Sequence, residues 1–302
     1  MTDAVRAVLD HYRGEGAGVL TNLHRMLGHG RLAGTGKLVI LPVDQGFEHG
    51  AGRSFAANPP AYDPHYHFRL GVDAGCSAYA APLGFLEAGA AEFAGQIPLI
   101  LKLNNHDVLQ DEADPLGAQT AAVRDALRLG CVAVGYTIYP GTRDRRLQSE
   151  QRRAIAQQAK EAGLAVVVWS YARGADISPE GETALDVIGY AAQIAAQLGA
   201  HVLKVQLPSD HLGQEAARAG YEAHAIPRQT LAQRVAHVMQ CAFDGRRIVV
   251  FSGGGKKGDT AVFDEARAIR DGGWHGSIIG RNSFQRPRDE ARSLRRSDRR
   301  IA

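Results

Sequence analysis

Lys204 stands in the middle of LGAHVLKVQLP (198–208), an otherwise apolar run suited to a buried parallel strand. Taking an ammonium out of water is costly, so a lysine placed there tends to give up its charge. A neutral amine at the end of a barrel strand can attack a carbonyl and form a Schiff base. The plainer alternative is a lysine whose head reaches solvent or pairs with a carboxylate. Other groups with chemistry to offer fall at the carboxyl ends of strand-like stretches. They are Asp44 in PVDQGFEHG, Lys102 in LKLNNHD, Tyr136 and Tyr139, then Trp169, Ser170, Tyr171 and Arg173 in WSYAR. Tyr171 and Asp44 are candidates to move protons to and from hydroxyls. Lys102 is a second cation, able to pair with Asp44 or to tune Lys204 by like charge.

FSGGGKKGDT (251–260) and GRN (280–282) suggest an anion cradle. Glycines let a backbone approach a phosphate closely, and an arginine fork suits its oxygens. Ser252, Gly253, Gly254, Gly280 and Arg281 are the expected contacts, at the phosphate position common after strands seven and eight of a barrel. The glycine run lacks the spacing of a nucleotide P-loop. Twelve histidines occur. His65 and His67 are close in sequence, and His49 and His106 are better placed, but none forms a ligand set, so no metal is expected. Glu48 and His49 read as shaping the first loop. Cys76 and Cys131 read as small core residues.

A phosphate at the rim and an amine on strand six together suggest a phosphorylated carbonyl substrate, whose imine would act as an electron sink.

Eight strand-like stretches carry these residues: 37–44, 76–82, 97–103, 131–138, 164–171, 201–207, 247–253 and 276–282. Amphipathic stretches such as SEQRRAIAQQAKEAG alternate with them and end in or near glycine. The alternation predicts a (β/α)8 TIM barrel over 37–287. Residues 1–36 read as a helical extension of two short helices, split by Gly14, Gly16 and Gly18. Residues 288–302 read as a basic tail. The stretch 208–246 is expected to hold an active-site loop and a helix.

With 302 residues and 45% hydrophobic content, the chain can bury a large core. A net charge of +3 does not imply nucleic-acid binding. Three cysteines cannot form a complete disulfide set within one chain, which fits a reducing cytoplasm. No signal-peptide core opens the sequence, and no apolar run approaches the ~20 residues that cross a bilayer.

ILPVDQGFEHG, LILKLN, AVGYTIYPG, VVWSYARG, LGAHVLKVQ, FSGGG and GRNSFQRP, in that order over 32–287, resemble the archaeal-type class I fructose-bisphosphate aldolases, including their bacterial branch. The resemblance implies a metal-free, cofactor-free barrel that reversibly cleaves fructose 1,6-bisphosphate to dihydroxyacetone phosphate and glyceraldehyde 3-phosphate. It implies Lys204 as the Schiff-base lysine, Tyr171 as the acid/base and Trp169 on the pocket wall. It further implies Asp44 and Lys102 in the site, with Ser252, Gly253, Gly254, Gly280 and Arg281 at the phosphate. A homo-oligomer, often a decamer of pentamer rings, is implied too. The sequence departs from the archaeal pattern after Lys204, where a further acidic residue is expected; Glu215 is a possible match. Two rivals stay open: a related Schiff-base aldolase or transferase for another phosphorylated sugar, and a sugar-phosphate binder without catalysis.

Overall fold

The computed structural model describes residues 1–110, 113–252, 264, 267–278 and 280–285, with the backbone alone at Arg281 and Asn282. Gly253, Gly254 and the tail 288–302 lie outside the described residues.

Eight strands run in parallel: β1 (Leu38–Pro42), β2 (Ala78–Pro82), β3 (Leu99–Lys102), β4 (Ala133–Ile138), β5 (Ala165–Ser170), β6 (Val202–Gln206), β7 (Ile248–Ser252) and β8 (Gly276–Ile278). Each pairs with its sequence neighbour, and β1 closes on β8 through Leu38 beside Gly276 and Ile40 beside Ile278. This is the (β/α)8 barrel that the alternating pattern predicts. The strands are two to four residues shorter than the runs read from sequence.

Side chains alternate across the barrel wall, as pleating requires. Leu38, Ile40, Ile100, Ala133, Val167, Val202, Ile248 and Val250 point inward into one cluster. Leu41, Tyr79, Leu101, Val134, Tyr136, Val168, Leu203 and Phe251 point outward and pack under the helices. Counting in twos along each strand therefore assigns a side chain to the interior or to the helix layer.

The N-terminal segment forms α1 (Asp3–Asp10) and α2 (Ala17–Leu27). Thr2 caps α1, its side chain accepting the Val5 N–H. The apolar faces of both helices, with Val5, Val8, Val19, Leu23 and Met26, join the inward cluster and close the amino-terminal end of the barrel. The Tyr12 hydroxyl donates to the His201 carbonyl at 2.6 Å and accepts the Ile248 N–H at 2.8 Å, pinning the cap to the starts of β6 and β7. Gly18 is no breaker. It lies inside α2, where a Cβ would stand 2.8 Å from the Gly163 Cα. Its bare backbone lets the helix touch the barrel.

The stretch 208–246 corrects an expectation. It forms two helices, Glu215–Ala223 and Leu231–Cys241, on the outside of the barrel. The Asp186 carboxylate accepts the Gly213 and Gln214 N–H groups at 2.8 and 2.9 Å, which ties the stretch to the outer layer. None of its described residues faces the barrel mouth.

Candidate active site

A cavity of about 620 Å³ opens at the carboxyl ends of the strands. Its wall takes residues from most of the barrel: Asp44 after β1, Lys102 on β3, Thr137 on β4, Tyr171 after β5, Lys204 and Gln206 on β6, Ser252 on β7 and Gly280 after β8. All share the inward parity of their strands. Tyr136 has the opposite parity. It faces the helix layer, where the Arg152 guanidinium lies 4.8 Å from its ring centroid. Tyr139, beyond the strand end, does line the mouth.

Lys204 is 6% exposed. Its Nζ lies 5.4 Å from the Tyr171 ring centroid and 5.8 Å from that of Trp169. Trp169 pairs in register with Lys204 across β5 and β6. It is not on the cavity wall as expected. Two residues below the mouth on β5, it fills the barrel interior and forms a floor. Gly135 makes room for it, since a Cβ there would stand 2.1 Å from Trp169 Cζ3.

Lys102 is buried and donates to Asp44 Oδ2 at 2.8 Å and to Glu48 Oε1 in a second, short contact. Burial pushes the Asp44 carboxyl up, but the nearby Lys102 and Lys204 ammonium groups outweigh it and bring it down to about 2. Glu48 goes the other way. Burial and the Asp44 charge raise its carboxyl above the ordinary range in spite of Lys102. Lys102 is raised, since the two carboxylates more than offset the effect of burial. Tyr171 is raised well above an ordinary phenol, by burial and then by Asp44 and Glu48, so it keeps its proton. The site thus holds an ionised carboxylate, a fixed cation and a protonated phenol around Lys204. Groups whose environments push them apart in this way suit divided acid and base roles.

From sequence Glu48 reads as loop-shaping only. The signal for it is the turn α3 (Gln45–Glu48): Asp44 stands just before this short helix with its carboxylate turned to Lys102, and Glu48 follows four residues later on the same face. Glu215, the possible acidic match, is exposed at the start of its outer helix and away from the mouth. Arg173 lies at the rim, 3.0 Å from Glu182 and 3.3 Å from Gln206 Oε1.

Of the expected phosphate contacts, Ser252 and Gly280 line the cavity. Gly280 also has a packing reason, since a Cβ there would stand 2.8 Å from the Pro42 carbonyl oxygen. Gly253, Gly254 and the Arg281 side chain lie outside the described residues. His65 is 3.2 Å from Glu92, and His67 is buried against the Ala61 carbonyl at 2.7 Å. Among the described residues no cluster of three or more His, Cys, Asp or Glu could hold a metal ion.

Residues 38–286 match the family described as DeoC/LacD family aldolase. The chain belongs to this aldolase family. The probable class 1 fructose-bisphosphate aldolase of Chlamydia muridarum is 34% identical over 286 residues, covering 91% of this chain and 82% of that one. The class 1 fructose-bisphosphate aldolase of Thermoproteus tenax is 34% identical over 253 residues, covering 83% and 84%. Among solved structures, an archaeal fructose-1,6-bisphosphate aldolase has its catalytic lysine covalently bound to the carbinolamine intermediate of the substrate. It superposes with a TM-score of 0.74 at 32% identity, over 88% of this aldolase and 94% of that chain. The resemblance read from the seven motifs is thereby borne out.

Proposed function

We propose that this protein is a class I fructose-bisphosphate aldolase with Lys204 as the nucleophile. The observation that carries the proposal is a nearly buried lysine at the barrel mouth, flanked by an ionised Asp44 and a protonated Tyr171. The Lys204 amine adds to the C2 ketone to give a carbinolamine. Loss of water, with one proton taken up, leaves an iminium. As the C3–C4 bond breaks, its electrons pass to the iminium and form an enamine, and glyceraldehyde 3-phosphate departs. The C4 hydroxyl loses a proton in this step and C3 gains one afterwards. Tyr171 is the shuttle that carries it, and Asp44 orients and polarises the hydroxyls. Water then hydrolyses the imine, releasing dihydroxyacetone phosphate and the free amine. Ser252 and Gly280, at the ends of adjacent strands, support the phosphate end of the reading. The proposal extends to a homo-oligomer in the cytoplasm, to be checked by sedimentation and cell fractionation.

Borohydride reduction in the presence of dihydroxyacetone phosphate tests the reading. The expected result is a stable mass increase on the Lys204 peptide that is absent in Lys204→Met. A protein that binds the sugar phosphate yet gives no adduct would be the non-catalytic binder. Turnover of a different phosphosugar in preference to fructose 1,6-bisphosphate would identify the related aldolase.

A further inference from the structure

We infer that Glu48 is a positioning residue for this reaction: with Asp44 it clamps the Lys102 ammonium, and through that clamp it holds the Asp44 carboxylate where the substrate hydroxyls arrive. The inference rests on the aldolase reading and adds a residue to its machinery.

The clamp has two jaws from one short segment. Asp44 ends the β1 side of the turn and Glu48 ends α3, so both carboxylates reach the same Lys102 Nζ on β3. Lys102 is 2% exposed, and the carboxylates 11% and 14%. A buried ammonium held by a single carboxylate can swing, and Asp44 must then follow it. Two anchors remove that freedom, and fixed geometry is what converts a nearby carboxylate into an effective one. Glu48 Oε1 also accepts the His106 N–H at 3.4 Å, which ties the loop after β3 to the same point.

Charge gives the clamp a pH dependence. Glu48 faces Lys102 from β3, Asp44 from the end of β1 and the His106 backbone from the following loop. Tyr171, after β5, feels its charge, and Lys204 on β6 acts on Asp44. His49 follows it in its own segment. Burial and Asp44 raise the Glu48 carboxyl above its ordinary range, whereas Asp44 is held below its own. On acidification Glu48 therefore takes its proton first, and Lys102 loses one of its two charged anchors while Asp44 still holds the other.

The test compares wild type, Glu48→Gln and Glu48→Asp in kcat and KM for fructose 1,6-bisphosphate across pH, beside borohydride trapping with dihydroxyacetone phosphate. Glu48→Gln is expected to keep trapping at Lys204 and to lose about tenfold in kcat, with KM changed by less than about threefold. Its acid limb should move to lower pH, since the group that titrates there is gone. Glu48→Asp, one methylene shorter but still ionisable, should keep an acid limb and partly recover kcat. An unchanged acid limb with wild-type kcat in Glu48→Gln overturns the inference, as does a kcat loss with the limb left in place. If Glu48→Gln does not fold, Glu48→Asp decides: wild-type kcat with an unmoved limb sinks the idea, and a lower kcat with a displaced limb supports it. Wild type that is never trapped overturns the aldolase reading itself. Trapped wild type with an indifferent Glu48→Gln overturns only the role of Glu48.

Discussion

Tyr171 keeps its phenolic proton because burial and two carboxylates oppose a third negative charge. It is therefore a proton donor at rest. Tyr171→Phe should lower kcat by about 10²–10⁴, the usual weight of a positioned acid/base, while imine trapping at Lys204 persists. Loss of trapping together with turnover would place the tyrosine in imine formation instead. Lys102→Met removes the cation between two buried carboxylates and should destabilise the fold by about 3–5 kcal/mol in denaturant titrations near neutral pH. The Asp44 carboxyl is lower in the folded chain than its unfolded value of about 3.9. Its stabilisation is thus complete above that value and is lost as pH falls toward about 2. The variant should lose this acid-side dependence of stability. At this scale the inward residues were legible: Asp44, Lys102, Tyr171 and Lys204 follow the strand period of two. Tyr136 has the wrong parity, which a reading of strand ends alone overlooks. Glu48 was missed because it reaches the site by a helical turn rather than by strand alternation.

Elements place these groups through contacts that span the chain. Trp169 can lie beneath Lys204 because Gly135 on the neighbouring strand has no side chain. Gly135→Ala puts a methyl 2.1 Å from Trp169 Cζ3, so the ring must leave its place. Overpacking of this kind costs about 1–3 kcal/mol. A lower melting temperature, altered tryptophan fluorescence and a reduced kcat should appear together, since the floor under the nucleophile moves. A variant with a shifted ring but full turnover would show that Lys204 is held from elsewhere. The eight strands were readable because each is an apolar run bounded by turn residues. The course of 208–246 was not, because it depends on a carboxylate more than twenty residues away: Asp186 draws Gly213 and Gln214 to the outer layer. A long segment after β6 suggests a loop over the site only until that tertiary bond is known.

Across the whole molecule, chemistry and closure occupy opposite ends of the barrel. A five-residue strand spans about 16 Å, enough to separate two sites that share no partner. At the far end from Lys204, the Glu15 carboxylate accepts a 2.6 Å hydrogen bond from Lys160 and lies 3.2 Å from His201 Nε2. His201 Nδ1 accepts the Val166 N–H, so its proton sits on Nε2, facing Glu15. Interaction with His201, then Lys160, holds the Glu15 carboxyl down to about 2 against the effect of burial. What Glu15 contributes is therefore fully present above an ordinary glutamate value of about 4.3 and fades as pH falls toward about 2. Glu15→Gln should cost about 1–3 kcal/mol at pH 7 by weakening the bonds that dock the cap. The melting temperature should fall by about 2–4 °C for each kcal/mol lost, and the gap to wild type should close on acidification. Its kcat should stay at the wild-type value. In the double variant with Tyr171→Phe, the stability loss should equal the sum of the two single losses within about 0.5 kcal/mol, and the rate loss should equal that of Tyr171→Phe alone. A rate loss in Glu15→Gln alone would mean that the N-terminal cap reaches the catalytic mouth through the barrel interior, where Trp169 is the packed group lying between them.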